Sequence, residues 1–517
     1  MKRRNFLRSA AVVGAASAGV FSILKYPRGA RAAGWGVWPS DKSSSLMPAD
    51  RQVGRVLELN MNGGLNPWDT FYTVPQWGEA EQTYVHQFAG TEDARDRDDR
   101  YAACGFAGDP WSSLEITDAN GVDLFLGPWA YPLRDRPDIL ERMRIVVQRH
   151  DVVAHEGANP LAFSGDRLGQ PRLAGLGTAV QRYFSENPEA GGGLRAAPYS
   201  YVLYPGLGFS TFNSLSASAV GFHPGSARPL GVTVAPNSML SQLLARTGPA
   251  DRAAFDEAIT VYRQSYEARF KTGGIGNPTR SAERGNYEYS DYARRNAVDL
   301  QSVLSADLFM PIPPGALECG AAGQLEFDMP QMQANLAASL LTRETDAARY
   351  VLWIDTGINP HENGGHDTHT NHTIQAAQNV PHTLRALANI IGGGPGQLSL
   401  DDTMIVINTE FGRTPGRQPE GGETGTNHWP WGYVSIFIGG PVRQRGCYGA
   451  VNYAPGDPMD GYATEYATPA ENRMMVLQSM GIYPFSSQSF AVGDVRGGVA
   501  DEVEAATRVR DTYLGIA

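Results

Sequence analysis

Histidine and carboxylate side chains are concentrated in one segment of the chain, residues 361–372. Four of the ten histidines lie within it, directly after the apolar run 350–355. Imidazole and carboxylate groups are the ligands that zinc and similar divalent ions prefer. Asp367 and His369 have a spacing that lets one turn present two ligands to one ion. The segment therefore predicts a metal site, and the alternative is a polar, solvated loop.

Two more polar clusters follow later in the chain. Glu410 comes shortly after the apolar run 403–408, and Arg413 can hold an anionic group through paired hydrogen bonds. The competing interpretation of these two residues is a buried structural ion pair. His428 lies in a loop before the apolar run 433–438. A single loop histidine is usually not a metal ligand, so its assignment depends on the other clusters.

These clusters lie next to apolar runs that the sequence predicts as strands. The alternation of strands with helices predicts an α/β fold, with a largely parallel sheet flanked by helices on both faces. In such sheets, ligands bind at the carboxyl ends of the strands. The strands are expected at residues 53–59, 144–148, 350–355, 403–408 and 433–438, and helical spacing of apolar residues marks Met332, Leu336 and Leu340, then Leu384, Leu387 and Ile390.

The first residues resemble an export signal. Arg3 and Arg4 precede a polar residue and Phe6-Leu7, which is the twin-arginine pattern, and a short apolar stretch follows. Ala30-Arg31-Ala32 offers a small-x-small cleavage site, so residues 1–32 are expected to be removed after passage through the twin-arginine translocase. An uncleaved N-terminal anchor is the alternative. The mature protein is expected in the periplasm or otherwise outside the cytoplasm.

The remaining chain, residues 33–517, is predicted to form one large domain. Apolar residues recur at helical spacing within residues 236–310, which we interpret as a helical insertion. No segment after the signal is long and apolar enough to predict a transmembrane helix. The three cysteines, Cys104, Cys319 and Cys447, permit one disulfide outside the cytoplasm, and their number does not identify the pair.

The charge of the chain argues against one class of partner. The formal net charge is −11, and the basic residues form no stripe or patch. Proteins that bind nucleic acid usually present such a basic surface. The sequence therefore predicts no nucleic-acid partner, and no Gly-rich nucleotide turn or haem motif favours a redox cofactor.

Several motifs together resemble one family of exported bacterial proteins, domain of unknown function 1501. They are the twin-arginine signal, the Asn-Gly-Gly turn at residues 62–64, Gly-Gly-x-Asp-Thr-His at 364–369, Glu-Phe-Gly-Arg-Thr-Pro at 410–415 and Gly-Thr-Asn-His at 425–428. The family is similar to the alkaline phosphatase and sulfatase superfamily. The resemblance implies that fold, a divalent metal with zinc as the expected ion, and a small anionic ester or cell-surface polymer as the partner.

The resemblance also implies roles for particular residues. One metal would be held by Asp367, by His369 or His372, and by His428. The second half of the site departs from the superfamily pattern. Its shell would have to be completed by Asn62, Asp69 and Glu410, and Ala154 stands where a nucleophilic serine is expected, beside His155. His155 and Arg413 are the candidate catalytic residues, His155 as a ligand or nucleophile and Arg413 as an anion clamp.

Two functions follow from this pattern. The first is a metal-dependent hydrolase of a phosphate or sulfate ester that works without a covalent serine intermediate, through a metal-activated water. The second is a non-catalytic exported protein that keeps the fold for binding or assembly at the cell surface.

Overall fold

The computed structural model describes residues 36–77, 112–167, 175–192, 197, 200–205, 229–234, 249–273, 327–358, 365–416, 425–452, 461–485 and 495–516. A mostly parallel sheet of eight strands lies at the centre of this part of the chain. Its strands are β1 (Arg55–Met61), β4 (Met143–Gln148), β5 (Tyr201–Pro205), β6 (Leu230–Val234), β7 (Tyr350–Asp355), β8 (Thr403–Asn408), β11 (Tyr433–Gly439) and β12 (Gly446–Tyr448). Their order across the sheet is β12-β4-β11-β8-β1-β7-β5-β6.

Short strands lie outside the main sheet in three antiparallel pairs. They are β2 (Ser112–Thr117) with β3 (Asp123–Leu126), β9 (Gly412–Arg413) with β10 (His428–Trp429), and β13 (Ala450–Asn452) with β14 (Tyr462–Glu465). The pair β9–β10 matters for the site, because it sets Arg413 directly opposite His428.

Helices cover both faces of the sheet, as its strands require. Leu57 and Leu59 of β1 belong to one buried apolar cluster and Val56 to another, because alternate side chains of a strand point to opposite faces. Helices α5 (Met329–Thr342) and α6 (His372–Asn389) pack on the first face. The second face carries α2 (His155–Ser164), α3 (Leu176–Glu186), α7 (Pro469–Ser479) and α8 (Glu502–Arg508).

Two further α-helices complete the described part, α1 (Pro137–Leu140) and α4 (Pro249–Gly273). Short 3-10 helices lie at Ser40–Ser45, Ala49–Arg51, Pro128–Leu133 and Pro188–Gly191, and a π-helical turn lies at Val509–Tyr513. No helix among the described residues is both long enough and apolar enough to cross a membrane.

One edge of the sheet collects the ends of several strands. Strands β1, β7 and β8 are parallel, so their carboxyl ends lie together. Strand β11 is antiparallel to both β4 and β8, which makes β4 parallel to β8. The carboxyl ends of β4, β7 and β8 therefore meet the amino end of β11 at this edge, where the polar clusters of the sequence are found.

The α/β prediction is confirmed, and the strand boundaries differ slightly. Strands β7 and β8 begin and end at the predicted residues. The first strand runs from Arg55 to Met61 rather than over 53–59, so the turn begins at Asn62. Helix α6 ends at Asn389, so Ile390, the last of the three positions predicted as helical, is its C-cap.

Other predictions fall partly or wholly outside the described residues. These include the signal at 1–32, Cys104, Cys319 and most of the insertion at 236–310, in which α4 is described. Cys447 is half-buried and forms no disulfide with a described residue. The division into one domain with an insertion stays a prediction.

Candidate metal centre

Four side chains converge at the shared edge of the sheet. His155 is the first residue of α2, Asp367 and His369 lie in the turn before α6, and His428 lies in β10. One ligand atom from each lies within 4.8 Å of the others. We call these residues the His–Asp cluster. His155 follows β4, Asp367 and His369 follow β7, and His428 precedes β11, so the fold brings them together from three separate places in the chain.

The His–Asp cluster is compact enough to surround one metal ion. Nε2 of His369 lies 3.1 Å from Oδ1 of Asp367 and 3.0 Å from Nε2 of His428. Oδ1 of Asp367 is 3.4 Å from His428 Nε2, and Oδ2 is 3.4 Å from His155 Nε2. Bonds of about 2.0–2.2 Å from zinc place two tetrahedral ligand atoms about 3.3–3.6 Å apart. The two 3.4 Å distances lie in this range, and the two distances from His369 are shorter.

The outer nitrogens of two histidines have acceptors. Nδ1 of His155 lies 2.9 Å from Oε1 of Glu410, and Nδ1 of His428 lies 2.6 Å from the carbonyl oxygen of Val153. Such acceptors favour the proton on Nδ1, which leaves the lone pair of Nε2 for a metal. Both Nε2 atoms point into the His–Asp cluster. Histidine ligands of zinc are held in this way.

Glu410 is fully buried and lies behind His155 rather than inside the His–Asp cluster. Its Oε1 accepts a hydrogen bond of 2.8 Å from the backbone N–H of Gly63, and the hydroxyl of Thr409 lies 3.3 Å from Oε2. Strand β8 delivers it there, two residues after Asn408. The structure therefore places Glu410 as a carboxylate that orients an imidazole.

Arg413 is also fully buried, and its guanidinium lies against Asp367. Its Nη2 donates to Oδ1 of Asp367 and to the carbonyl oxygen of Gly63. Nη1 has no hydrogen-bond partner among the described residues. The structure thus places Arg413 behind the His–Asp cluster, where it compensates the charge of Asp367.

Burial and nearby charged groups have opposing effects on the pKa values of the residues in the His–Asp cluster. Burial opposes ionisation of Asp367, but the charge of Arg413 and hydrogen bonds from the three histidines outweigh it and hold the pKa of Asp367 well below its usual range. Burial also opposes protonation of His155, yet hydrogen bonds to Asp367 and Glu410 raise the pKa of His155 to about 9. Burial lowers the pKa of His428. The two carboxylates beside His155 therefore favour a positive charge at this position.

Asp69 and His372 pair with each other outside the His–Asp cluster. Nε2 of His372 lies 2.6 Å from Oδ2 of Asp69, and its Nδ1 lies 2.7 Å from the hydroxyl of Thr368. Thr368 is adjacent to Asp367 and bonds Thr426 at 2.9 Å. The structure therefore selects His369 over His372 as the neighbour of Asp367. The Asp69–His372 pair joins the segment after β1 to the turn that carries Asp367 and His369.

Asn62 has a different environment. It is buried, and its Oδ1 has no hydrogen-bond partner among the described residues.

A cavity of about 450 Å³ opens next to two of the clustered histidines. It is lined by Val153, Ala154, His155, Glu156, Asn427, His428 and Trp431. Ala154 lies at the amino-terminal cap of α2, so the lining contains no hydroxyl at the position where the superfamily pattern expects a serine. A volume of this size is typical of small-molecule sites.

His150 and Trp431 were not among the predicted site residues, and Gly63 was noted only as part of the Asn-Gly-Gly turn. Nε2 of His150 lies 2.8 Å from the carbonyl oxygen of Glu410 and holds the chain behind the site. His150 follows β4, as His155 does. Its position after a predicted strand is therefore a signal that could have marked it as a site residue. Trp431 carries no such signal, because its exposure to a cavity depends on how the loops fold.

Comparisons with known proteins concern the second half of the chain. No curated protein and no solved structure matches the chain. Residues 332–465 carry three of the four members of the His–Asp cluster. They match the model of a family described as protein of unknown function (DUF1501), and this match supports the assignment of the chain to that family.

Proposed function

We propose that this chain is an exported, metal-dependent hydrolase of a phosphate or sulfate ester, with a fold of the alkaline phosphatase and sulfatase superfamily. The observation that carries the proposal is the His–Asp cluster, whose four ligand atoms lie within 4.8 Å of one another beside a cavity of about 450 Å³. The superfamily placement is supported by the mostly parallel sheet and by the position of the cluster at the carboxyl ends of its strands.

Each residue has a role that its contacts define. Asp367, His369 and His428 hold the ion, and Arg413 keeps Asp367 ionised from behind. A bound zinc ion would polarise the ester oxygen and lower the pKa of a water molecule. Glu410 fixes the ring of His155 so that its Nε2 faces the cluster at the cavity wall.

The amino end of α2 and a bound metal would favour an anion in the cavity, against the negative charge of Glu156 in its lining. Helix α2 begins there, and the first N–H groups of a helix have no partner within the helix and carry partial positive charge. Together with the metal, they would hold the ester group. In the reaction, the oxygen of water bonds to phosphorus or sulfur and the bond to the ester oxygen breaks. That oxygen takes a proton, which releases an alcohol and inorganic phosphate or sulfate.

One observation favours a second function. Four protein ligands fill a tetrahedral zinc site, and closed sites of this kind are usually structural. If His155 binds the ion together with the other three residues, the ion has no open position. The chain would then be a non-catalytic exported protein that uses the metal to hold its loops for binding or assembly.

Metal analysis of the mature protein, residues 33–517, separates these functions. We expect about one equivalent of zinc in the native protein and loss of the metal in Asp367→Ala and His428→Ala, with the exposed Asp401→Ala as a control that keeps it. In the hydrolase, His155→Gln retains the metal and loses turnover of phosphate or sulfate esters. In the non-catalytic protein, His155→Gln loses metal and no ester is turned over by the native chain.

Absence of bound metal in the native protein, combined with no change in thermal stability on chelation, would exclude both metal-based functions. Export is tested separately. Replacing Arg3 and Arg4 by lysine should retain the protein in the cytoplasmic fraction, and unchanged localisation would exclude the twin-arginine route.

A further inference from the structure

We propose that the cavity beside the His–Asp cluster binds a sugar ring, so that the substrate is a saccharide carrying the anionic ester. This inference rests on the proposed function for the ester and adds the chemistry of the group that bears it. The argument begins with the position of the cavity. His155 and His428 form part of its wall. The part of the substrate that occupies the cavity is therefore the group bonded to the ester at the His–Asp cluster.

The aromatic side chain of the cavity is held in a fixed orientation. Trp431 is half-buried. Its ring packs edge-on against Trp429, with ring centroids 4.8 Å apart, and lies tilted against Tyr462 at 6.1 Å. The backbone carbonyl of Trp431 also accepts a hydrogen bond of 2.8 Å from the N–H of Ala463. A rigid aromatic ring of this kind supplies apolar contact area with little loss of conformational entropy. The C–H face of a pyranose is a flat apolar surface that can stack on the ring of Trp431.

Two polar groups in the same cavity suit hydroxyl groups. Asn427 uses its Oδ1 to accept a hydrogen bond of 2.8 Å from the N–H of His428, which fixes the amide and leaves its Nδ2 as a donor. Glu156 is exposed and has no ion-pair or hydrogen-bond partner among the described residues. Its carboxylate accepts hydrogen bonds only. A hydroxyl group both donates and accepts, so neighbouring hydroxyls of a sugar can satisfy both side chains.

The same lining disfavours other groups. A quaternary ammonium is usually held by a cage of aromatic rings, whereas Trp431 is the single tryptophan, tyrosine or phenylalanine among the lining residues. A second anionic group would lie near the carboxylate of Glu156, and like charges repel. Val153 and Ala154 are exposed apolar residues, so the cavity opens to solvent at that end and can admit one ring of a longer chain.

Kinetics with matched esters test this proposal on the zinc-loaded mature protein. The probes are glucose 6-phosphate and glucose 6-sulfate, with ethyl phosphate, ethyl sulfate, phosphocholine and adenosine monophosphate for comparison. We expect the sugar esters to have the highest kcat/KM. In Trp431→Ala, KM for the sugar esters should rise by about tenfold, which is the upper range for one aromatic contact. Trp431→Tyr should restore most of the affinity. Trp38→Ala, which removes a half-buried tryptophan packed on Tyr483, is the matched control.

The outcomes distinguish this proposal from the proposed function. Turnover of ethyl esters as efficient as that of sugar esters, with Trp431→Ala unchanged, overturns the saccharide proposal and leaves the hydrolase in place. A preference for phosphocholine or adenosine monophosphate also overturns it. If no ester is turned over, saturation-transfer NMR with methyl α-glucoside decides: a signal that is lost in Trp431→Ala supports the sugar site, and its absence from the native protein overturns it.

Discussion

The carboxylate of Glu410 lies 2.9 Å from Nδ1 of His155 although 255 residues separate them in the chain. Glu410 is fully buried and also accepts a hydrogen bond from the N–H of Gly63. One side chain therefore connects the ends of β1, β4 and β8. This contact assigns Glu410 to the support of His155, and it makes the orientation of the imidazole depend on a charge that solvent does not reach.

Replacing that charge should change the behaviour of His155 without removing its ring. In the non-catalytic protein, where His155 binds the ion, we expect Glu410→Gln to reduce zinc affinity by about 10- to 100-fold, the usual effect of losing a carboxylate that supports a ligating histidine. In the hydrolase, where His155 is not a ligand, zinc affinity should stay unchanged and ester turnover should fall, because a neutral amide holds the N–H of His155 less strongly. Competition titration against a chelator measures the affinity, and Glu465→Gln, in β14 and outside the site, is the control. Unchanged affinity together with unchanged turnover in Glu410→Gln would contradict a role of Glu410 in orienting His155.

Much of the fold could be predicted because the strands of the sheet are short, continuous apolar runs. Tyr350–Asp355 and Thr403–Asn408 are buried along their whole length, so hydrophobicity alone marks both ends. Asp367, His369 and His428 were recognisable for a related reason, since each lies in a polar motif next to such a strand. The sequence pattern therefore locates these three candidate ligands at the ends of predicted strands.

The remainder of the site depends on contacts between distant loops. Glu410 lies 2.9 Å from His155, a contact that places it behind the imidazole. Residue spacing carries no information about this contact. The choice between His369 and His372 is similar. His372 is the first residue of α6 and faces Asp69, which lies 303 positions away in the chain. Arg413 could be read from the sequence as an anion clamp or as half of a buried ion pair, and burial favours the second.

Arg413 should contribute more to stability than a surface arginine does. Arg413→Met leaves the buried carboxylate of Asp367 without its partner, and breaking one side of a buried pair costs about 3–5 kcal/mol. Arg443 provides the matched control, because its ion pair with Asp401 is 3.6 Å long and exposed, and such pairs contribute about 0–1 kcal/mol.

Urea unfolding of both variants in the presence of a chelator measures the difference. Added zinc should recover part of the stability of Arg413→Met, because the ion would compensate Asp367 in place of the guanidinium. A similar loss in the two variants would show that the buried pair adds nothing to stability.

Gly63 should not tolerate a side chain, because its backbone packs against the turn that carries Asp367. Its φ is +114°, and a Cβ atom there would lie 2.3 Å from the backbone nitrogen of Asp367. Gly63→Ala must therefore displace Asp367 or Glu410, and we expect loss of metal binding together with reduced stability. Gly121→Ala separates backbone strain from the clash, since Gly121 has a φ of +78° and no atom within 4 Å of the added Cβ.

The control should lose only about 1 kcal/mol, the cost of placing an alanine in the left-handed region. Thermal unfolding and zinc content, measured on both variants, report the two effects separately. Normal zinc content in Gly63→Ala would show that the loops adjust to the added methyl group.

His150 should make stability depend on pH below neutrality. Burial lowers its pKa from 6.5 to about 4, a shift that the hydrogen bond to the carbonyl of Glu410 only partly opposes. Nδ1 of His150 accepts a hydrogen bond of 3.1 Å from the N–H of Val152, which requires the neutral ring. The folded state therefore favours unprotonated His150.

Between pH 6.5 and 4, the unfolded chain binds a proton at this residue that the folded chain does not, so stability is present above pH 6.5 and is lost as the pH falls toward 4. From pH 7.5 to pH 5, the loss from this group is about 2 kcal/mol. Urea unfolding at both pH values, with chelator present, should show a smaller loss in His150→Gln than in the native protein. The other titrating groups are common to both proteins and cancel in the difference. An equal pH dependence in the two proteins would show that His150 is protonated as readily in the fold as in the unfolded chain.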